Sequence, residues 1–453
     1  MKQVIAVFDI GKTNKKILLF DNNFKVVYQH EEKFPVVQDD DGFECDDIDL
    51  ITAWISKTLA EIITNGEFDL VGVNFSTYGA SLMFLDENGI TLTPVYNYLK
   101  EISTSITEEL FAEYGGKDEF CRKTASPALG LLLNSGIQTL WLKKEKPEVF
   151  NRAASILHFP QYLSYSLTNE IVSEPTSIGC HTFMWDFDKM QYHQWVADKG
   201  ISLPAPITND MVFPAKIFKK EIQVGTGIHD SSASLAPYLK ASSDKFILVS
   251  TGTWCVNMNP FNPEPLTAVQ LEQDCLCFLT PNKVQVKSSR LFMGHFHEVW
   301  AEKLAKHFEV SGDKFKSVRN DNELVKIISY QYPGKSVYFP NGKESFEAGL
   351  ETVDLSIFDT YEAAYTKLMI DLTALCVKAI HLVIPANDET ETLYISGGFA
   401  RNEIFINLLK EAFPAKKVLI SEIDNSSALG AALVIADVLK DADVSKLDLG
   451  LIG

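Results

Sequence analysis

Positive charge is scarce in this chain of 453 residues, which carries 41 lysines and arginines against 60 aspartates and glutamates. A net charge of −19 is poorly suited to a protein that must neutralise many phosphates of DNA or RNA. The same charge disfavours binding to an anionic membrane surface. We therefore expect neither nucleic acid nor a membrane as a partner.

Long apolar runs are also missing. The longest nearly uninterrupted run, residues 428–439, already contains Asp437 and falls short of the roughly 20 residues that cross a bilayer. The apolar run at residues 4–8 is too short for a signal peptide, and no small-residue cleavage site follows it. The sequence thus predicts a cytoplasmic protein without a membrane span.

Cysteine is too sparse for a disulfide framework, because seven cysteines, an odd number, are scattered over the whole chain. They are expected to be reduced and mostly buried. Cys275-x-Cys277 and His295-x-His297 have the spacing that places two zinc ligands on one strand face. Whether these four residues bind a metal is left open, the alternative being two half-buried thiols and two polar histidines.

What the chain does contain is the composition of a folded protein, 46% hydrophobic and 22% charged, patterned as an α/β fold. Strands are predicted at residues 3–8, 15–20 and 25–30, which form an antiparallel meander. Asp49 is predicted to cap a helix that runs to Ile63 and stops at Asn65-Gly66, before a buried strand at residues 70–75.

The strand pattern that opens the chain occurs a second time near Phe246. Residues 246–258 repeat the pattern of apolar strand, polar turn and strand found at residues 4–19, and each half later carries a strand that ends in a polar turn. Such self-similarity is typical of a duplicated structural unit. With the polar stretch 240–245 as the boundary, we predict two related lobes, residues 1–240 and 241–453.

Two familiar nucleotide-binding motifs are excluded by their own spacing. Gly11-Lys12-Thr13 lacks the glycine that a P-loop needs five residues earlier, where Ala6 stands. The pair Gly225 and Gly227 is not followed by the third glycine of a dinucleotide fingerprint. A nucleotide site, if present, must be built in another way.

Three polar loops that follow predicted strands favour such a site. Asp9 ends the first strand, and a carboxylate beside a phosphate cradle is how proteins place Mg²⁺. A Gly-Gly pair at a strand-to-helix junction lets a nucleotide approach the backbone and the helix N-terminus closely. Each loop alone is also compatible with an ordinary turn; together they indicate a nucleotide site. The loop residues are Gly11, Lys12, Thr13 and Asn14; Thr251, Gly252 and Thr253; and Gly397 and Gly398, with Asn402 next to a helix predicted at residues 403–412.

Asp230 lies on a glycine-flanked turn that enters a helix of small residues. One carboxylate beside a substrate hydroxyl can accept its proton as the oxygen attacks a γ-phosphate. The alternative is an aspartate that merely caps the helix.

The set of motifs, in this order, resembles the FGGY carbohydrate kinases. The resemblance implies an actin/hexokinase/Hsp70-type fold, with two RNase H-like lobes around a cleft. It also implies an ATP-dependent sugar kinase that uses Mg²⁺. The segments that carry it are residues 9–14, Gly42-Phe43-Glu44 with Trp54, 139–169, 227–233, 250–254, 395–402 and 427–432, so it spans nearly the whole chain.

By this resemblance, Asp9 and Asp230 hold Mg²⁺ and Asp230 is the general base. Residues 11–14 hold the ATP phosphates, residues 251–253 face them from the other lobe, and Gly397, Gly398 and Asn402 line the nucleotide pocket. Lys12 departs from the family, which usually has Thr there, so whether it contacts phosphate is left open. Lys12, Lys15 and Lys16 are the cations expected to confine positive potential to this loop in an acidic protein.

The sugar is harder to predict. Ser76, Thr77 and Tyr78 stand where the family contacts its sugar, and Thr176 lies in a segment similar to the sugar-side loop of rhamnulose kinases. Together with Asp230 these residues form the predicted substrate site, and Tyr78, Trp185 and Phe292 are candidates for stacking on a sugar face.

The motifs around Asp230 and Thr251 look most like rhamnulose kinases and related 6-deoxyketose kinases. A terminal hydroxyl of L-rhamnulose or L-fuculose is therefore the expected acceptor. Xylulose, ribulose, glycerol and a catalytically inactive sugar sensor remain alternatives, and a homodimer is left open.

Overall fold

The computed structural model describes residues 1–340, 342 and 353–453. The strands in this part of the chain are β1 (Lys2–Ile10), β2 (Lys15–Phe20), β3 (Val26–Glu32), β4 (Val37–Gln38), β5 (Glu44–Cys45), β6 (Phe68–Thr77), β7 (Leu82–Leu85), β8 (Ser155–His158), β9 (Trp185–Asp186), β10 (Gln191–Tyr192), β11 (Val212–Ile217), β12 (Lys220–Gly225), β13 (Ile228–His229), β14 (Phe246–Thr251), β15 (Cys255–Asn259), β16 (Cys275–Leu279), β17 (Gln285–Leu291), β18 (Thr392–Gly397), β19 (Lys417–Ser421) and β20 (Leu451–Ile452).

The α-helices of the described residues are α1 (Ile48–Asn65), α2 (Ser105–Glu113), α3 (Lys117–Lys123), α4 (Gly136–Glu145), α5 (Pro147–Phe150), α6 (Phe159–Thr168), α7 (Pro175–Ile178), α8 (Gln194–Asp198), α9 (Asp230–Ala241), α10 (Ala268–Glu272), α11 (Met293–His307), α12 (Asn322–Gln331), α13 (Tyr361–His381), α14 (Glu403–Ala412) and α15 (Ser426–Val434). Short 3-10 helices lie at Lys314–Ser317, Leu355–Ile357, Gly398–Arg401, Ala436–Val438 and Val444–Lys446. None of these helices is long and apolar enough to span a membrane.

The opening of the chain folds as its pattern predicts, with one correction. Strands β1, β2 and β3 form an antiparallel meander, and the strand predicted at residues 70–75 lies inside β6. The cap of α1 is Asp47, not Asp49, because Asp47 has an extended backbone and its carboxylate accepts from the Leu50 amide at 2.9 Å. Asp49 lies within the first helical turn, and Gly66, at φ 64°, ends the helix.

The predicted duplication is present in the sheets. In the described residues the first sheet has the order β11-β12-β6-β1-β2-β3, with β13 also paired to β6, and the second has the order β16-β17-β15-β14-β18-β19-β20. In both, three antiparallel strands are followed by two parallel ones, β3-β2-β1-β6-β12 in the first and β17-β15-β14-β18-β19 in the second. This is the repeat of two RNase H-like units that the resemblance implies.

Helices cover both sheets, so the central strands are buried and read as continuous apolar runs. One core lies between the first sheet and helices α1 and α6. Another lies between the second sheet and helices α11, α13 and α14. The apolar residues of each half of the chain thus find their partners mainly within that half.

Two helices cross between the halves. Helix α15, near the end of the chain, packs on strands β1, β2 and β6 of the first sheet, whereas Leu235 and Tyr238 of α9 pack on the second. The two helices meet where a Cβ atom added to Gly430 would lie 1.8 Å from the carbonyl oxygen of Ala233, so only glycine fits. Because of this exchange, the division into residues 1–240 and 241–453 stays a prediction.

Parallel pairing brings the predicted loops to the same edge of each sheet. Asp9 lies opposite Ser76 where β1 and β6 run side by side, and β13 adds its two residues next to Ser76 and Thr77. In the second sheet, Thr251 at the end of β14 lies opposite Gly397 at the end of β18. The carboxyl ends of parallel strands are the usual place for a ligand site in such sheets.

Candidate active site

Asp9 lies at the carboxyl edge of the first sheet, near the end of β1. Burial raises its pKa to about 6, and the negative charge of Asp230 contributes to the rise. A hydrogen bond of 3.0 Å from the Ser427 hydroxyl opposes it. Ser427 belongs to α15, so a residue from the far end of the chain completes this part of the site. Neighbouring carboxylates with raised pKa values are typical of sites that bind a cation or move a proton.

Asp230 is the first residue of α9, and the capping position before it belongs to His229. The structure therefore does not support the alternative that Asp230 is merely a helix cap. Its side chain is 40% exposed, and partial burial raises its pKa to about 6. The Ser231 hydroxyl donates to its Oδ1 at 3.2 Å. The carboxylate is thus accessible and more basic than an ordinary aspartate.

His229 accompanies Asp230 without neutralising it. Its Nε2 lies 3.2 Å from Asp230 Oδ1 and 3.4 Å from the Cys180 sulfur. Burial lowers the pKa of His229 to about 4, so the ring is uncharged at neutral pH. Asp230 therefore keeps its negative charge beside a neutral imidazole.

Further buried histidines lie around this pair. A Cβ atom added to Gly79 would lie 3.1 Å from the His229 ring and 3.7 Å from Nε2 of His181. Burial lowers the pKa of His181 to about 3 and that of His158 to about 4. The wall beside Asp230 is thus polar but uncharged. Sequence reasoning missed His158 and His181, because no local motif signals that they approach residue 229.

The predicted sugar-site residues have different surroundings. Ser76 and Thr77 are buried in β6, and the Thr77 hydroxyl donates to the Tyr78 carbonyl at 2.9 Å. Thr176 is buried, and its hydroxyl donates to Glu174 at 2.7 Å and accepts the His229 amide at 3.0 Å. Its contacts position His229.

Of the aromatic residues considered for sugar stacking, Trp185 is buried and packs on Tyr192, at 5.6 Å between ring centroids. Phe292 is sandwiched between Trp254, at 4.4 Å, and His295, at 4.5 Å. Neither ring leaves a free face for a sugar. Trp254, which directly follows the second loop, is 44% exposed.

Lys12 does not lie free beside the first loop. Its Nζ contacts Asp46 at 2.8 Å, and Asp46 also accepts Lys15 at 2.7 Å and the Tyr78 hydroxyl at 2.6 Å. Burial would raise the pKa of Asp46, but these three hydrogen bonds outweigh it and lower the pKa. Lys16 instead acts on Asp9, whose ionised form its charge favours. The motifs identified in the sequence did not include Asp46.

The second and third loops are locked together by Thr251. Its buried hydroxyl donates to the Ser396 carbonyl at 2.5 Å and accepts the Phe399 amide at 3.1 Å. Gly397 has φ 86°, and a Cβ atom there would lie 1.8 Å from the Thr251 carbonyl oxygen. Thr251 and Gly397 therefore shape the loops, and Gly252 and Thr253 are the exposed members of the second loop.

A pocket of about 510 Å³ opens beside these loops. It brings together three predicted residues, Gly252, Gly398 and Asn402, with aromatic walls that the sequence did not indicate. The Tyr365 hydroxyl lies 3.0 Å from both Asn402 Nδ2 and His297 Nε2. A mostly apolar pocket with a few fixed polar groups is suited to a small planar ligand such as a nucleotide base.

The possible zinc ligands do not form a site within the described residues. Cys275 and Cys277 are buried on β16, whereas His295 and His297 lie on helix α11, where residues two apart point in different directions. The group of metal-ligand side chains that the described residues do bring together is Asp39-Asp40-Asp41. Lys100 and Lys146 already form ion pairs with this group.

Comparison with known proteins gives concordant results. The N-terminal domain model of the FGGY family of carbohydrate kinases matches residues 4–215, and the model for the carbohydrate kinase FGGY C-terminal domain matches residues 243–443. A rhamnulokinase from Oceanobacillus iheyensis is 20% identical, over 96% of this chain and 93% of its own length.

Two solved structures share the fold. A carbohydrate kinase from Novosphingobium aromaticivorans superposes with a TM-score of 0.79 at 19% identity, over 97% of this chain and 92% of its own. A ligand-bound xylulose kinase from Lactobacillus acidophilus gives a TM-score of 0.79 at 17% identity, over 99% of this chain and 92% of its own. The two-lobed α/β architecture is thereby confirmed.

Proposed function

The chain belongs to the FGGY family of carbohydrate kinases, and we propose that it transfers the γ-phosphoryl group of ATP to a terminal hydroxyl of a ketose. The observation that carries this proposal is Asp230, an accessible carboxylate of raised pKa at the sheet edge that also holds Asp9. Phosphoryl transfer to a hydroxyl requires one group to accept the proton.

Asp230 is suited to that proton transfer. A pKa of about 6 leaves it ionised at neutral pH while making it a stronger base than an ordinary aspartate. Because His229 is uncharged, no ion pair has to break before the carboxylate takes the proton. The proton leaves the sugar hydroxyl as its oxygen attacks the phosphorus, and ADP departs.

Asp9 and Asp230 also fit a divalent cation. Each repels the other and resists ionisation in its partly buried position, and a cation would relieve both effects. Mg²⁺, when bound, neutralises charge on the transferring phosphoryl group. Lys16 and the backbone amides of residues 12–14 are the proposed phosphate ligands, since the Gly11 amide already donates to the Asn14 carbonyl at 3.0 Å.

The 510 Å³ pocket of the second lobe is the candidate site for the base of ATP. Gly252 and Gly398 leave room for close approach of the ligand to the backbone. The Tyr365 hydroxyl, held by Asn402 and His297, fixes one polar wall. With the phosphates directed toward Thr253 and the first loop, the nucleotide would bridge the two lobes.

We favour a 6-deoxyketose, L-rhamnulose or L-fuculose, as the acceptor. The wall formed by His181, His229 and Gly79 is uncharged, and Lys12 and Lys15 are already held by Asp46. These surroundings favour a neutral polyol over a sugar acid. The similarity to a rhamnulokinase over 96% of the chain supports the same class, and a pentulose such as xylulose is the alternative.

A panel of acceptors tests the proposal. ADP release by the purified full chain would be measured with MgATP and L-rhamnulose, L-fuculose, D-xylulose, L-ribulose or glycerol. We expect the highest kcat/KM with one of the two 6-deoxyketoses, and phosphate attached to the terminal carbon in the NMR spectrum of the product. If the protein binds ADP but forms no ADP from ATP with any acceptor, the result would contradict a kinase and support a sensor.

A further inference from the structure

Arg290, on strand β17 of the second lobe, has a hydrogen-bond donor that nothing in the described residues uses. Its Nη2 donates to Asp274 Oδ1 at 2.6 Å, but its Nε is buried and has no partner among the described side chains and backbone. A buried donor without an acceptor costs folding free energy, so it indicates either strain or a ligand.

The position of Arg290 favours a ligand. Burial lowers the pKa of His181 in the first lobe, and the positive charge of Arg290 lowers it further. Burial and the charge of Asp230 raise the pKa of Cys180, and Arg290 opposes that rise. Geometry agrees with these effects: the Cys277 amide, on the strand paired with β17, donates to the Ala125 carbonyl of the first lobe at 2.8 Å. The strand pair that carries Arg290 therefore contacts the lobe that holds Asp230.

Contacts on that wall connect His181 to the proposed base. The space beside Gly79 separates His181 from His229, since a Cβ atom there would lie 3.7 Å from one ring and 3.1 Å from the other. His229 in turn lies 3.2 Å from Asp230. A sugar whose terminal hydroxyl faces Asp230 and which extends along this wall would reach toward Arg290.

The surroundings of Arg290 also hold it in a fixed orientation. Its guanidinium lies 5.5 Å from the centroid of the Trp254 ring, and Trp254 is itself stacked on Phe292. Asp274 fixes one end of the guanidinium and balances its charge. A donor held in this way loses little entropy when it binds, and a charge-balanced one suits an uncharged oxygen better than a carboxylate.

We propose that Arg290 is a specificity-determining residue, whose Nε donates a hydrogen bond to an uncharged oxygen of the acceptor sugar, away from the phosphorylated hydroxyl. The proposal rests on the proposed sugar kinase function and assigns part of sugar recognition to the second lobe. It follows that a bound sugar contacts both lobes and favours their closure around the reacting groups.

The test compares Arg290→Gln and Arg290→Lys with the wild type, with whichever acceptor of the panel supports fastest ADP release. We expect the KM for the sugar to rise roughly tenfold in both variants, because neither side chain carries a guanidinium Nε, while the KM for ATP stays within about twofold. Arg122→Gln is the control, because it removes an arginine that pairs on the surface with Glu119 and Asp188. This control should leave the sugar KM within about threefold of the wild type.

Deoxy analogues of the accepted sugar give a second measurement. One analogue that lacks a hydroxyl away from the phosphorylated end should lose affinity for the wild type and not for Arg290→Gln, since the variant no longer recognises that oxygen. A sugar KM within twofold of wild type in Arg290→Gln, or equal rises in the KM for sugar and ATP, would overturn the inference. Failure of the wild type to use any sugar would instead refute the proposed function, and this inference with it.

Discussion

The first turns of the two lobes have the same topology and opposite chemistry. In both, a central strand reverses into an antiparallel neighbour and runs parallel to a later strand, β1 with β2 and β6, and β14 with β15 and β18. The first turn is rich in charge, with Asp9, Lys12 and Lys16 in or beside it. The second, residues 251–254, has no charged residue. Each sheet therefore places one loop at its carboxyl edge, and the two loops differ in the charge of their side chains.

The difference extends to how each turn is held. Asp46 holds the first turn by accepting Lys12 and Lys15, so long charged side chains fix its shape. The second is held by the Thr251 hydroxyl and by the close approach that Gly397 allows. Charge fixed in this way can support phosphoryl transfer on one side, and a neutral glycine surface can admit a nucleotide on the other.

The largest expected effect comes from removing Asp230, which the second lobe cannot replace. Asp230→Asn should lower kcat on the order of 10²–10⁴-fold, because the amide cannot accept the hydroxyl proton, while ADP binding measured by calorimetry is kept. Asp47→Asn is the matched control, since asparagine also caps α1. Near-normal ADP release by Asp230→Asn would show that another group is the base.

The next largest effect tests how the uncharged turn of the second lobe is held. Gly397→Ala should destabilise the protein by about 2–4 kcal/mol in a denaturant titration, because the new Cβ would meet the Thr251 carbonyl and the residue has positive φ. Gly398→Ala is the matched control, as a Cβ there meets nothing within 4 Å. Its free energy of unfolding should change by less than about 1 kcal/mol. Equal effects of the two substitutions would contradict the proposed locking of the loops.

The smallest effect sharpens the role of charge. Folding raises the pKa of Asp230 from 3.8 to about 6, because burial disfavours the ionised carboxylate. The protonated group therefore contributes stability that is fully present below pH 3.8 and is lost as the pH rises through 6. Asp230→Asn should therefore raise Tm at pH 8 without ligands, and the gain should vanish near pH 4.

In the wild type, kcat/KM should fall as the pH drops below about 6, where the base becomes protonated.

A Tm for Asp230→Asn that is unchanged or lower at pH 8 would show that the ionised carboxylate does not destabilise the ligand-free protein. The Asp47→Asn control should show no such gain, since Asp47 stabilises its helix through an exposed hydrogen bond. Gly397→Ala, by contrast, should lower Tm at both pH values, because its effect is steric.

Several parts of this site could be predicted from local sequence. Asp9, Asp230 and the three glycine-containing loops each follow a strand and precede a turn or helix, so their pattern is contained in a few neighbouring residues. The apolar runs that build the two sheets could be predicted for the same reason. The alternatives for Lys12, a phosphate ligand or a side chain that points elsewhere, could not be separated without knowing that Asp46 lies 2.8 Å from it.

Other residues could not be found in this way, because their partners are distant in the chain. Ser427 donates to Asp9 from the opposite end of the sequence, and the positive charge of Arg290 helps to lower the pKa of His181, although the two residues are distant in the chain. Thr176 is buried, and its hydroxyl bonds to Glu174 and to the His229 amide, so its contact with sugar stays a prediction. The type of a residue in a loop does not by itself determine in which direction its side chain points or which groups it contacts.

The sequence alone determined two α/β lobes and the positions, at strand ends, of the three polar loops and of Asp230. These follow from hydrophobic period and turn chemistry, which act between neighbours. Only the tertiary structure decided that α9 and α15 exchange lobes, that Asp46 binds Lys12 and Lys15, and that the Nε of Arg290 is buried without a partner among the described residues. Those outcomes depend on which surfaces pack together, and burial and charge pairing between distant segments fix them only when the whole chain has folded.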